Sequence, residues 1–379
     1  MDLEEQRKKI DAIDDQLIAL LEQRMRTAEE IARIKQAEGL AVTDPLRERR
    51  LLDRIMEKSS ADMAGYNRIL WNSILEMSKD HQRKTQQEEA PVVKEIRKAL
   101  TETPPLFPES ATVACQGTEG AYSQEACDKF FKMPHILYTK NFRGVFAAIQ
   151  AGLCKYGVLP LENSTAGSVN QIYDLMMEYD FHIVKSVRLK ISHSLLALPG
   201  VRKEEIREIY SHPQALAQCE KYLKEFPNAV LIPAVNTAVA ARQVAESGRR
   251  DVAAIGSEKN GSLYGLETLE RNIQDQDNNY TRFILITRDL EIYPGANKTS
   301  LMMILEHRPG SLYNVLARFN ALGINLEKLE SRPLPSREFE FMFYFDIRES
   351  VYSDGFMRMM NQLTEMALEF RYLGSYTEE

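Results

Sequence analysis

The stretch IDAIDDQLIALLEQRMRTAEEIARIK begins at Ile10 and places apolar side chains at Ile10, Ile13, Leu17, Leu20, Ile31 and Ile34. Steps of three and four mark one face of a helix. Run from about Asp2 to Glu38, before Gly39 offers a stop, such a helix is roughly 50 Å long at 1.5 Å per residue. A seam of that length needs partners along all of it, and the two helical runs C-terminal to it are too short to supply them. PLRERRLLDRIMEKS, with Asp44 placed to cap it and Pro45 at its first position, ends near Ser59. YNRILWNSILEMSKDHQRK forms the third helix. The expectation is an intertwined helical dimer, in which a second copy of the chain completes the core. Continued through its gap, the seam lands on Arg24 and Thr27. A buried guanidinium without an anion is costly. Arg24 should therefore meet either a protein carboxylate or a ligand.

With 379 residues the chain has room for two or three domains. A net charge of −7 argues against a general nucleic-acid binder. Cys115, Cys127, Cys154 and Cys219 are scattered without paired spacing. They suit reduced thiols in a cytoplasmic protein and argue against a zinc site or a disulfide framework. The N-terminus is charged from Asp2 onward, unlike a secretory signal, and no apolar run approaches a membrane span.

The helical texture covers 1–84 and a polar, then proline-rich linker covers 85–110, where VVKEIRKAL allows a helical turn or two. From 111 to 290, strand-like runs such as ATVACQG, YGVLPLEN, DVAAIGS and TRFILITR alternate with helical ones such as VFAAIQAG, QALAQCEKYLKEF and NTAVAARQVAESG. That layout is α/β with mainly parallel strands, long enough for two lobes around a cleft. Residues 298–379 read βαββαβ, a ferredoxin-like unit.

On the first helix Arg24 and Lys35, eleven residues apart, fall within about 20° of the same direction. Arg7 is turned by about 100° from Arg24, so in a dimer it reaches the partner's pocket. Arg47 and Glu48 follow Asp44 within one turn, and Ser78 and Gln82 share a face of the third helix. Each alone is compatible with a solvated helix face. Together, in register across three helices, they resemble the all-helical chorismate mutases over nearly the whole region. The resemblance implies that Arg24 and Arg47, with Arg7 of the other subunit, bind carboxylates. It implies that Lys35 bonds the ether oxygen and a carboxylate, that Glu48 accepts from the hydroxyl with Asp44 nearby, and that Ser78 and Gln82 contribute from the third helix, Gln82 at the ether oxygen. The reaction is a pericyclic rearrangement of one dianion, chorismate to prephenate. It needs no nucleophile, cofactor or metal, only orientation and positive charge at the breaking ether.

In the α/β region GTEGAYSQEA is a glycine turn before a helix, whose N–H groups suit a carboxylate. PLENSTAGSVN, SHPQALAQC and NNYTRFILI come after it, each weak alone. No Ser-His-Asp set is evident. In this order they resemble prephenate dehydratase from about Thr112 to Arg288, including the Thr-Arg-Phe signature at Thr281–Phe283. The resemblance implies a two-lobed, periplasmic-binding-protein-like fold with prephenate in the cleft. Thr281 is then the hydroxyl at the leaving group, and Asn163, Ser211 and Gln218, with Glu162 beside them, are the polar contacts. Some relatives carry a carboxylate where this chain has Val235 and Asn236.

HRPGSLYNVL and LESRPL resemble the two signatures of the ACT domain. That implies a phenylalanine site between subunits formed by Gly310, Ser311, Leu312, Glu330, Ser331, Arg332 and Pro333, and feedback inhibition. The leading expectation is a bifunctional enzyme of phenylalanine biosynthesis, cytoplasmic, at least dimeric. One alternative is a two-lobed ligand-binding regulator with a helical dimerisation segment. Another is a dehydratase whose mutase segment is dead and serves only to dimerise.

Overall fold

The computed structural model describes residues 2–40, 44–84, 89–334, 340–353 and 355–379. It divides into a unit Met1–Ala90 and a unit Pro91–Glu379.

The first unit is three helices. α1 (Leu3–Ala37) starts where the Asp2 carboxylate accepts from Glu4 N at 3.3 Å. It ends before Gly39, whose φ of 67° suits a residue without a Cβ. α2 (Pro45–Lys58) starts as expected, with Asp44 accepting from Arg47 N at 3.0 Å and Pro45 in the first turn. α3 (Ala64–Lys84) packs on both α1 and α2. Twenty-one residues of α3 span about 32 Å, too little to cover α1. Burial on α1 accordingly falls on Ala28 and Ala32, while Ile10, Ile13, Leu17 and Leu20 remain 55–62% exposed.

The second unit opens with α4 (Pro91–Glu102), a full helix rather than a turn or two, burying Val93, Ile96 and Ala99. The first lobe follows as β1 (Ser110–Gln116), α5 (Tyr122–Phe130), β2 (Met133–Thr139), α6 (Phe142–Gln150), β3 (Tyr156–Asn163), β4 (Gly167–Ser168), α7 (Asn170–Glu178) and β5 (His182–Lys190). The chain then crosses to a second lobe: β6 (Ser194–Ala197), β7 (Glu208–Ser211), α8 (Pro213–Gln218), α9 (Glu220–Leu223), β8 (Val230–Pro233), α10 (Thr237–Ser247), β9 (Val252–Gly256), α11 (Glu258–Tyr264) and β10 (Glu267–Arg271). β11 (Tyr280–Thr287) returns to the first lobe between β3 and β5.

The expected mainly parallel sheet is mixed instead. β1 pairs parallel with β2 and β3, and β7 with β8 and β9, but β11 runs antiparallel to both neighbours and β6 to β9 and β10. The reason is topological. A strand that returns from the other lobe enters from the opposite end. The helix expected over QALAQCEKYLKEF is broken at Cys219 into α8 and α9. There the Asp275 N–H takes the Gln218 carbonyl at 2.7 Å and its carboxylate accepts from Lys221 N at 3.0 Å.

The C-terminal part is β12 (Lys298–Ile304), α12 (Ser311–Ala321), β13 (Asn325–Pro333), β14 (Phe341–Arg348), α13 (Phe356–Met366) and β15 (Glu369–Glu378). Its order β13-β14-β12-β15, antiparallel throughout, is the ferredoxin-like βαββαβ arrangement. β15 then joins β5 in parallel at Thr377 and Lys185, so one ten-stranded sheet carries both the first lobe and this domain. Gly374 sits at that junction with φ of 137°, where a Cβ would strike the Ile183 carbonyl. Among the described residues no helix is long and apolar enough to cross a membrane.

Candidate functional site

A cavity of about 680 Å³ opens in the helical unit. The seam of α1 supplies Leu20, Arg24, Thr27 and Ile31 to its wall, so the polar interruption falls where the cavity lies. Lys35, Asp44, Arg47, Glu48, Ser78 and Gln82 line the same cavity. Arg24 is fixed by hydrogen bonds to the Ser78 hydroxyl and the Ile74 carbonyl, and its guanidinium lies 5.6 Å from the Trp71 ring centroid. Burial lowers its pKa, and among the described residues no carboxylate pairs with it. A charge held this way is poised for an anionic ligand. Lys79, which the sequence did not single out, also lines the wall and pairs with Glu48 at 3.3 Å and Glu76 at 2.6 Å. Among the described lining residues four cations (Arg24, Lys35, Arg47, Lys79) thus face two carboxylates (Asp44, Glu48), an excess of two positive charges. Arg7 is exposed, about 25 Å along α1 from Arg24, and does not line the cavity of its own chain.

The second cavity, about 480 Å³, lies between the lobes. Asn163, Gln218 and Thr281 line it, with Tyr122, Ser123, Ser168, His193, Asn236 and Thr237. Among the described residues no Asp, Glu, Lys or Arg does. Among the described residues four helices begin at its wall: α5 after Ala121, α7 after Val169, α8 after His212 and α10 after Asn236. Neither Ala121 nor Val169 caps its helix with a side chain, which leaves first-turn N–H groups and the helix dipole for an anion. The glycine turn before α5 is required. Gly120 has φ of 83°, and a Cβ there would strike Asn260. Asn236 caps α10 by accepting from Val239 N at 2.7 Å.

Thr281 is 9% exposed, and its Oγ accepts from Asn163 Nδ2 at 2.9 Å. The backbone N–H groups of Thr165 (3.0 Å) and Ala166 (2.9 Å) donate to Asn163 Oδ1 and favour this orientation of the amide. With its lone pair engaged, Thr281 has its O–H left to give to a ligand.

Two expected contacts lie elsewhere. Ser211 is fully buried and donates to the Ile255 carbonyl at 2.7 Å, away from the cavity. Glu162 points to the opposite face of β3 from Asn163, as alternation requires. There it meets Lys328 Nζ at 2.6 Å and Arg282 at 3.2 Å. Arg282, the middle residue of the Thr-Arg-Phe run, is 3% exposed and also pairs with Asp346 (2.5 Å) and Glu378 (2.9 Å). It ties β11 to β14 and β15.

Along β13 the side chains divide by parity. Glu330 accepts from the Ser168 hydroxyl at 2.6 Å, and Arg332 grips Asp174 through bonds of 2.8–3.1 Å. Both face the first lobe, as does their neighbour Tyr344, stacked edge-on against Tyr173. Ser331 and Pro333 are exposed and share the face of Leu329, which sits opposite Phe345 and so toward Phe319 of α12. Gly310, in the left-handed region at φ of 92°, starts α12, whose first turn holds Ser311 and Leu312. The seven residues therefore do not share one face of the domain.

Known proteins resemble this chain in sequence and in fold. A chorismate mutase type II family model matches residues 6–83, and a prephenate dehydratase model matches 113–291. A bifunctional chorismate mutase/prephenate dehydratase of Escherichia coli K12 is 31% identical over 98% of this chain and 95% of its own length. An arogenate dehydratase/prephenate dehydratase of Arabidopsis thaliana is 41% identical over 70% of this chain and 72% of its own. Among solved structures, a prephenate dehydratase from Arthrobacter aurescens in complex with L-Phe superposes with a TM-score of 0.64 at 28% identity, covering 70% of this chain and 89% of its own.

Proposed function

The chain belongs to the bifunctional chorismate mutase/prephenate dehydratases, and on that premise we propose how its two cavities divide the work. The enzyme isomerises chorismate to prephenate and converts prephenate to phenylpyruvate, in phenylalanine biosynthesis. The assignment of each step to a cavity rests on one contrast: the helical cavity has two positive charges in excess, and the interlobe cavity has no charged Asp, Glu, Lys or Arg among its described lining residues.

The helical cavity is the mutase site. Its excess charge matches a dianion. Arg24 and Arg47, with Arg7 of a second copy, bind the carboxylates, and Lys35 and Gln82 face the ether oxygen. Glu48, with Asp44 nearby, takes the hydroxyl. Ser78 holds the Arg24 guanidinium in place. The pocket favours the folded conformer and the charge that develops as the ether breaks.

The interlobe cavity is the dehydratase site. The side-chain carboxylate sits on the N–H groups at the starts of α5 and α7. The ring carboxylate that leaves as CO₂ meets no cation, so nothing stabilises it against departure. Thr281 gives its proton to the departing hydroxide as the C–O bond breaks, the oxygen leaves as water, and the threonine is reprotonated from solvent. The electron pair freed by loss of CO₂ completes the aromatic ring. Glu162 and Ser211 act through the strands they brace and do not touch substrate.

The C-terminal domain is an ACT sensor for phenylalanine. A related dehydratase was solved with L-Phe, and β13 offers a physical route. Its Ser331–Pro333 face lies on the α12 side with Gly310 to Leu312, while its Glu330–Arg332 face holds Ser168 in the wall of the cleft and Asp174 of α7. An effector that shifts β13 shifts the cleft. The bare Ile10–Leu20 stretch of α1 supports a homodimer completed by a second α1. The four free, buried cysteines suit a reducing cytoplasm.

One assay tests the reading: supplied chorismate disappears, phenylpyruvate accumulates, and added phenylalanine suppresses the second step. A chain that leaves chorismate untouched is not this enzyme, and a dehydratase rate indifferent to phenylalanine removes the sensor.

A further inference from the structure

Asn163, Asn279, Gln218 and Thr165 form a closed ring of side-chain hydrogen bonds behind Thr281. Asn163 Nδ2 donates to Asn279 Oδ1 at 2.8 Å, and Asn279 Nδ2 donates to Gln218 Oε1 at 3.0 Å. Gln218 Nε2 donates to Thr165 Oγ at 3.2 Å, and the Thr165 hydroxyl donates back to Asn163 Oδ1 at 2.6 Å. All four donors point the same way round. Such rings strengthen themselves, because each bond polarises the next.

Two external contacts set the direction. The backbone N–H groups of Thr165 and Ala166 pin Asn163 Oδ1. On the far side, His193 Nε2 lies 2.9 Å from Gln218 Oε1. That oxygen already accepts from Asn279, so the imidazole must be the donor there. His193 is 2% exposed, burial lowers its pKa, and among the described residues its buried Nδ1 has no hydrogen-bond partner. A neutral ring with its proton on Nε2 fits this environment. A proton on Nδ1 would have nothing to meet. Asn279 is 2% exposed and lies just before β11, two residues before Thr281, and like Thr281 it accepts from Asn163 Nδ2.

We propose that Asn279 and His193 are positioning residues of the dehydratase. They lock the direction of the ring, so that Asn163 always turns its N–H toward Thr281 Oγ and the Thr281 proton always faces the substrate. The inference rests on Thr281 as the group that donates to the leaving hydroxide. A ring running the other way would present Asn163 Oδ1 to Thr281, which would then spend its proton inward.

The test has two arms on the full-length chain. In ¹⁵N NMR the resonances absent from a His193→Gln variant identify His193, and in the wild type near neutral pH they should report the neutral tautomer protonated on Nε2. An Nδ1-protonated ring overturns the proposal whatever the role of Thr281. The Asn279→Asp variant keeps the acceptor for Asn163 but replaces the donor to Gln218 with a carboxylate. The expected result is a loss of about tenfold or more in kcat for prephenate, with KM changed less, and a shift of His193 toward the Nδ1-protonated form as Gln218 turns over. General loosening of the cleft would raise KM and leave the tautomer alone. A kcat within about twofold of wild type, or an unmoved tautomer, overturns the proposal. Where Asn279→Asp does not fold, the wild-type tautomer still decides.

Discussion

Thr281→Val replaces a hydroxyl by a methyl of nearly the same shape. The fold should tolerate it. Asn163 Nδ2 keeps Asn279 Oδ1 at 2.8 Å and the Tyr280 carbonyl at 3.2 Å, so the donor that faced Thr281 is not stranded. Valine also suits a buried strand. The expected cost in stability is about 1 kcal/mol, the net worth of one hydrogen bond. The expected cost in catalysis is far larger. A positioned proton donor contributes about 10²–10⁴-fold, or about 3–5 kcal/mol of barrier at 1.36 kcal/mol per tenfold. Phenylpyruvate formation from supplied prephenate should therefore fall by at least a hundredfold, on the low side of that range, while chorismate consumption by the same preparation continues. Residual dehydration within about tenfold of wild type would refute the assignment of the proton to Thr281.

Two further outcomes rest on the charges around β13 and β11. Burial opposes ionisation of Glu162, Asp346 and Glu378, but hydrogen bonds and charges from Arg282, Lys298 and Lys328 outweigh it and hold all three below the usual carboxylate range. Carboxyls depressed on folding stabilise fully above their unfolded values and lose that contribution as pH falls through the folded ones. Melting of the Pro91–Glu379 unit should be flat from pH 7 to about 5 and drop steeply below about 4; an unchanged melting temperature at pH 3 would contradict the network. Arg332→Ala removes the fork on Asp174. It should raise the phenylalanine concentration for half-inhibition about tenfold, a coupling of ordinary allosteric size, and an unshifted inhibition curve would reject β13 as the route.

Much of the site was legible because it lies on regular elements. The Asp44–Pro45 start of α2, the seam broken at Arg24 and the shared faces of Arg24 with Lys35 and of Ser78 with Gln82 are consequences of a helical period, and the structure gathers them around one cavity. Lys79 was not legible. Nothing in the spacing of α3 relates it to Glu48 of α2; only packing does. Glu162 and Ser211 were misplaced for a different reason. Both stand in polar motifs, and in a strand a shift of one residue exchanges cleft for interior. Its place two residues before Thr281 could have found Asn279, but His193 sits in a plain run, ISHSLL, and joins the ring only through the second lobe. The antiparallel return of β11 left no local mark, since a buried strand reads alike in either direction.

The central claim is that one chain holds two separate active sites and that Arg24 belongs to the first alone. Arg24→Ala, assayed on both substrates, tests it most directly. Loss of one preorganised cationic donor predicts chorismate turnover reduced by about a hundredfold or more, with dehydration of supplied prephenate unchanged. Full chorismate turnover in that variant, or a parallel fall in both activities, would contradict it.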